Sequence, residues 1–138
     1  MPSLPHATAE ERLAQARIGR LATVTPEGRP HVVPVCFALH DGRIYTAVDA
    51  KPKATRALQR LENVRAHGRA SLLVDHYEED WTQLWWVRVD GAAAIEDSEP
   101  GLDALTAKYA QYRDQRPAGP LIAIAPERWR SWTPATSA

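Results

Sequence analysis

The chain has 138 residues, 44% of them apolar and 25% charged, with seventeen basic and seventeen acidic side chains. That length and balance describe one ordinary globular domain, residues 1–138, which buries about 68–70% of its unfolded surface on folding. Zero net charge argues against nucleic acid as the partner, since a phosphate lattice demands a positive excess; the single cysteine, Cys36, excludes an internal disulfide and a thiolate metal cage.

The start, Met1-Pro2-Ser3-Leu4-Pro5-His6, has neither a basic nor an apolar leader segment, and no apolar run is long enough to span a membrane. A cytoplasmic protein is the expectation, in keeping with a lone reduced thiol. Thr8-Ala9-Glu10-Glu11 reads as a capping box that opens a short helix ending near Arg17. Ile18 to Thr25 is rich in strand formers, Pro26-Glu27-Gly28-Arg29 is turn-like, and the return strand runs from His31 to Leu39. Asp41-Gly42 is a hairpin pair that leads into a third strand, Ile44 to Val48.

Lys51 to Val64 reads as a helix with Pro52 in its first turn and an apolar stripe of Ala54, Ala57, Leu58, Leu61 and Val64. A fourth strand follows from about Ala70 to Tyr77. A fifth starts near Leu84 and reaches Ile95, with Gly91 as the place where a long strand can bend. Ser98 to Tyr112 is a second long helix, Asp114 to Pro120 a loop, and Leu121 to Ala125 the last strand, followed by Pro126 and a tail with Trp129 and Trp132. Strands clustered in this way do not make a doubly wound parallel sheet. About six antiparallel strands must remove their edges, so a closed or split barrel with helices at its ends is expected.

Nucleotide-binding glycine loops and the Gly-x-Ser-x-Gly hydrolase elbow are absent. The five histidines are scattered, and the run Asp75, Glu78, Glu79, Asp80 lacks the spacing of a calcium loop, so no metal site is read and the run is a solvated turn. Cys36, between Val35 and Phe37, reads as a buried inert thiol inside a strand. Lys51, Lys53, Arg56 and Arg60 gather where the third strand meets its helix. They make either a solvated basic face or, with the first-turn amides, a phosphate site. Three of the five tryptophans, Trp81, Trp85 and Trp86, fall within six positions. Strand parity sends Trp85, Val87 and Val89 to one face and Trp86 with Arg88 to the other, where a subunit interface or a ligand could cover them.

Four segments carry a family resemblance. They are Gly19-Arg20-Leu21-Ala22-Thr23-Val24-Thr25-Pro26-Glu27-Gly28-Arg29-Pro30-His31-Val32-Val33-Pro34-Val35; Lys51-Pro52-Lys53 before a helix; Arg69-Ala70-Ser71-Leu72-Leu73-Val74-Asp75; and Leu84-Trp85-Trp86-Val87-Arg88-Val89-Asp90-Gly91. In this order and spacing the chain resembles the pyridoxamine 5′-phosphate oxidase-like, flavin/deazaflavin oxidoreductase superfamily, in the branch regarded as coenzyme F420-dependent. The resemblance implies a mainly β, FMN-binding type of split barrel, and a homodimer with cofactor clefts between subunits. It implies hydride transfer between F420, or alternatively FMN, and a small unsaturated molecule, with a non-catalytic carrier as the rival. The ring would lie against Val33, Pro34 and Val35 and against Thr46, Ala47 and Val48. The phosphate-bearing tail would reach Lys51, Lys53, Thr55 and Arg56. The partner subunit would contribute Trp86 and Arg88. No catalytic side chain is named by the resemblance. Replacing Lys51 and Lys53 together by Ala is expected to weaken cofactor binding at least about tenfold, read by fluorescence titration.

Overall fold

The computed structural model describes residues 2–48 and 55–134, with the side chains of the second stretch described from residue 59. Helix α1 spans His6–Gln15. It begins two residues before the expected capping box, because the Ala9 amide already donates to the Pro5 carbonyl at 2.9 Å. Thr8 therefore sits inside the first turn, and the N-cap, Pro5, offers no side-chain bond. Ala9 and Leu13 are its buried face.

Strands β1 (Gly19–Val24) and β2 (Pro30–Val35) form the first hairpin, Leu21 opposite Val33. Its turn closes through Thr25 and Arg29, with Gly28 at positive φ. Strands β3 (Ala38–His40) and β4 (Arg43–Ala47) form the second, around Asp41 and Gly42, both at positive φ as a two-residue turn of this twist requires. Helix α2 is Thr55–His67; β5 is Arg69–His76 and β6 is Trp85–Glu96. Helices α3 (Glu99–Lys108) and α4 (Ala110–Asp114) precede β7, Leu121–Trp132. Among the described residues no helix is long and apolar enough to cross a membrane.

The seven strands lie in the order β2-β1-β5-β6-β7-β4-β3. The two end strands, β2 and β3, are consecutive in the chain, so the sheet curls until the chain itself joins its edges across Cys36 and Phe37. This is a split barrel with flanking helices. The expected single return strand, His31 to Leu39, is thus two strands, and Cys36 lies half-buried in the break rather than inside a strand.

A break in a strand orphans backbone groups that must find partners. Tyr109 supplies them. Its hydroxyl accepts from the Phe37 amide at 3.0 Å, and its one proton can serve the Phe37 carbonyl at 2.9 Å or the Arg17 carbonyl at 3.0 Å. The Lys108 ammonium donates to the same Phe37 carbonyl at 2.9 Å, and the Thr46 hydroxyl to the Cys36 carbonyl at 2.8 Å. To reach the break, Tyr109 leaves helical geometry (φ −117°, ψ 119°), and the helix expected over Ser98 to Tyr112 becomes α3 and α4.

The last strand also differs from expectation. It runs through Pro126 to Trp132 instead of stopping at Ala125. Asp90 pairs with Arg128 but Gly91 pairs with Pro126, so Glu127 is an extra residue in β7. A bulge spares Pro126 the ladder hydrogen bond it cannot donate. Gly91 is required at the crossing, because a Cβ there would collide with the Ala125 carbonyl.

Leu21, Phe37, Ile44, Leu72, Val74, Val87, Val89, Ile122 and Ile124 fill the barrel, joined by Leu13 of α1 and by Leu61 and Val64 of α2. A second cluster packs Leu105 and Tyr109 against Ala38, Tyr45, Ala47, Leu121 and Ala123. The fully buried Asn63 of α2 is satisfied by Thr23 at 3.0 Å and Gln59 at 2.8 Å. Replacing Tyr109 by Phe leaves the Phe37 amide unpaired; the expected loss is about 1–3 kcal/mol in urea unfolding, with the native spectrum retained.

Candidate functional site

Period-two alternation gives the β2-β1-β5-β6-β7 stretch an outer face that no helix of the described chain covers. Register places Pro34, Arg20, Leu73, Arg88 and Arg130 in one row across it, and Val32, Ala22, Ser71, Asp90 and Arg128 in the next. Val32 is 61% exposed and Val24 41%, far more than isolated β-branched residues in a sheet need be. Around this apolar strip the charges are tied in pairs. Arg20 meets Asp75 at 3.1 Å, Arg69 meets Glu127 at 2.6 Å, and Arg88 grips Asp90 with two bonds of 2.9 and 3.2 Å. The Ser71 hydroxyl adds a bond of 2.7 Å to Asp90. Partial burial works to raise the Asp90 carboxyl, but Ser71, Arg88 and the charge of Arg128 outweigh it and hold the group below the usual range.

Two cavities open on this face. One, about 450 Å³, is walled by Leu73, Asp75, Tyr77, Trp86 and Arg88, with the Arg88 guanidinium 6.0 Å from the Trp86 ring centre. The other, about 500 Å³, has an apolar floor that includes Ala22 and Val32 and a rim that includes Arg69, Ser71, Asp90 and Arg128. A flat apolar floor with hydrogen-bond donors at its edge suits a planar conjugated ring whose rim carries carbonyls and ring nitrogens.

Of the residues singled out in the sequence, Pro34, Trp86 and Arg88 share this face; three strand spacings, about 14 Å, separate Pro34 from Arg88. Val33 and Val35 alternate to the other side, against the barrel core. Thr46, Ala47 and Val48 are buried within the subunit, Thr46 at 2% exposure with its hydroxyl engaged on Cys36. Lys51 and Lys53 lie outside the described residues, as do the side chains of Thr55 and Arg56 at the start of α2. The parity assigned to Trp85 and Trp86 is observed: Val87 and Val89 are fully buried and Trp85 packs on the core, while Trp86 and Arg88 face outward.

Sequence reasoning missed Arg20, Ser71, Asp90 and Tyr77. Asp90 had a readable signal, since it stands two residues after Arg88 on the same strand face. The Arg20–Asp75 pair had none, because it depends on β1 lying beside β5. Among the described residues no cluster of three His, Cys, Asp or Glu is placed to hold a metal.

The other group with unusual electrostatics is Lys108. Its ammonium sits 3.9 Å from the Phe37 ring centre. Burial, followed by the charge of Arg17, pushes its pKa down to about 8, against an opposing pull from Cys36. Below pH 8 the folded state holds a cation it disfavours. Between pH 8 and the ordinary lysine value the unfolded state binds more protons, so stability rises with pH across that window. Urea unfolding compared between the wild type and Lys108→Met should show this rise in the wild type alone.

A family model for pyridoxamine 5′-phosphate oxidase matches residues 5–133. No curated protein matches the chain. Among solved structures the chain is similar to the conserved hypothetical protein Rv2991 of Mycobacterium tuberculosis, with a TM-score of 0.76 and 24% identity over 98% of this chain and 92% of that one. It is also similar to a FAD-binding protein of Mesorhizobium loti, with a TM-score of 0.68 and 23% identity over 94% and 95%. The heme storage protein HutZ of Vibrio cholerae shares the fold at a TM-score of 0.67 and 16% identity over 96% and 95%.

Proposed function

The chain belongs to the pyridoxamine 5′-phosphate oxidase family, and we propose that it is an F420-dependent oxidoreductase that moves a hydride between the deazaflavin and a small unsaturated or conjugated molecule. The observation that carries this reading is the uncovered outer face with Trp86, Arg88, Ser71 and Asp90 at the edge of an apolar floor. A second copy of the chain laid on that face would bury the exposed Val24, Val32 and Tyr77 and turn two shallow pockets into closed clefts. A homodimer with a cleft on each side is therefore part of the proposal.

The donor set fits the ring. Arg88 spends two N–H groups on Asp90 and keeps the rest of its fork for an acceptor at the ring edge. Asp90 and Ser71 fix the direction of that fork, and Trp86 gives it a flat wall. Lys51, Lys53, Thr55 and Arg56 are the residues proposed for the phosphate-bearing tail. When bound, a reduced deazaflavin supplies the hydride, so the protein's task is to bind, align and keep water out. No side chain is assigned as acid or base. FMN in the same cleft is the alternative cofactor, and a carrier that holds the ring without turnover is the alternative role.

Side-by-side titration of the purified protein with F420, FMN and haem tests the cofactor. F420 is expected to bind most tightly, and its reduced form to be oxidised by at least one conjugated acceptor. Preferred binding of FMN moves the assignment to the flavin, binding of F420 without turnover on any acceptor favours the carrier, and failure of both rings to bind overturns the reading.

A further inference from the structure

Lys51, Lys53 and Lys108 are the three lysines among the seventeen basic side chains of the chain; the others are arginines. A guanidinium cannot give up its proton in a protein, whereas an amine can. Lys108 stands at the joint of the barrel. The Phe37 carbonyl holds one of its N–H groups at 2.9 Å. The Phe37 ring centre lies 3.9 Å from the nitrogen and the Tyr109 ring centre 5.2 Å, so two aromatic rings take the place of water. Every neighbouring segment brings a group that acts on this amine. Arg17, from the passage between α1 and β1, donates to the Lys108 carbonyl at 2.9 Å and lies 4.8 Å from the Tyr109 ring centre. Cys36 comes from the break in the strand, and Tyr109 from the end of the same helix, its hydroxyl kept neutral because burial pushes its pKa up. Among the described residues neither Lys108 nor Arg17 is paired with a carboxylate.

The rings favour a cation, but burial and the charge of Arg17 oppose it and win, which is why the pKa falls to about 8. An amine stripped of water beside a second cation is the arrangement that makes lysine a nucleophile toward carbonyl compounds. We propose that Lys108 is a covalent modification site whose amine condenses with small aldehydes to form an imine. The nitrogen lone pair attacks the aldehyde carbon, and a C–N bond forms as one of the two C–O bonds opens. The oxygen then leaves as water and a C=N bond remains. Once protonated, the imine again donates N–H to the Phe37 carbonyl and holds its charge over the same ring. Acyl transfer would discard that charge, so an aldehyde suits the place better than an activated acyl group. None of Lys108, Phe37, Tyr109, Arg17 and Cys36 lines the two pockets of the outer face, and the proposal does not rest on the cofactor reading.

Limiting propionaldehyde with cyanoborohydride, which traps an imine as a secondary amine, tests the wild-type protein. Free Nα-acetyllysine in the same tube is the reference, and peptide mapping separates Lys108 from Lys51, Lys53 and the terminal amine. At neutral pH the neutral fraction of Lys108 exceeds that of an ordinary lysine by about two orders of magnitude. A less basic amine is a weaker nucleophile and returns part of this, so Lys108 should be trapped at least about tenfold faster than the reference. Its lead should shrink above about pH 8, as the reference begins to lose its own protons. Arg17→Gln should reduce the lead at neutral pH, because the charge of Arg17 lowers the pKa of Lys108; a merely exposed lysine would not respond. Trapping of Lys108 no faster than the reference overturns the proposal, and so does an unchanged lead in an Arg17→Gln variant with the native far-UV spectrum. If that variant does not fold, the wild-type profile decides alone, and a lead that persists undiminished well above pH 8 overturns the proposal.

Discussion

The barrel depends on one joint. Its two edge strands are not hydrogen-bonded to each other but are one segment of chain broken at Cys36 and Phe37, and the backbone groups exposed there are met by Tyr109, Lys108 and Thr46. The demand that buried peptide groups be paired explains features that otherwise look unrelated. A helix is cut in two so that one tyrosine can reach the break. A lysine is drawn into a half-buried place where its charge is disfavoured. Arg17, tied by its guanidinium to the Lys108 carbonyl and by its own carbonyl to Tyr109, fixes the passage from α1 into β1.

From that joint the outer face follows. With the barrel closed on one side by α3 and at its ends by α1 and α2, the β2-β1-β5-β6-β7 stretch keeps a surface free, and alternation along the strands decides what it shows. Apolar side chains occupy β2 and the far end of β1, arginines and their carboxylates spread from Arg20 of β1 across β5, β6 and β7, and the pockets open among them. The network of Ser71, Asp90 and Arg88 crosses two strands, so the donor aimed at a ligand is set by sheet geometry and not by a loop.

Much of this was legible from residue order, and the reasons are local. Asp41-Gly42 announced its hairpin because few other pairs tolerate two positive φ angles. Trp85 and Trp86 could be sent to opposite faces because strand parity needs no tertiary knowledge, and Gly91 stood out in a strand interior, at a point where the fold has no room for a side chain. The illegible parts are those decided by distant partners. Tyr109 continues a helical pattern in sequence and leaves it only because Phe37 waits across the fold. Pro126 looks like a terminator until the bulge removes the bond it lacks. The ring-facing roles given to Thr46, Ala47 and Val48 came from resemblance, and in the subunit those side chains are buried; the proposed phosphate corner at Lys51 and Lys53 lies outside the described residues.

The bulge at Glu127 also works as a point of inversion. Before it, the even-numbered residues of β7, Ile122 and Ile124, enter the barrel; after it the odd-numbered Trp129 packs on the core, and Arg128 and Arg130 join the outer rows. One surplus residue thus changes the phase of the strand. Were Glu127 held in regular alternation instead of being absorbed by the bulge, the segment beyond Pro126 would present its arginines to the hydrocarbon interior and its tryptophan to the arginine-lined face.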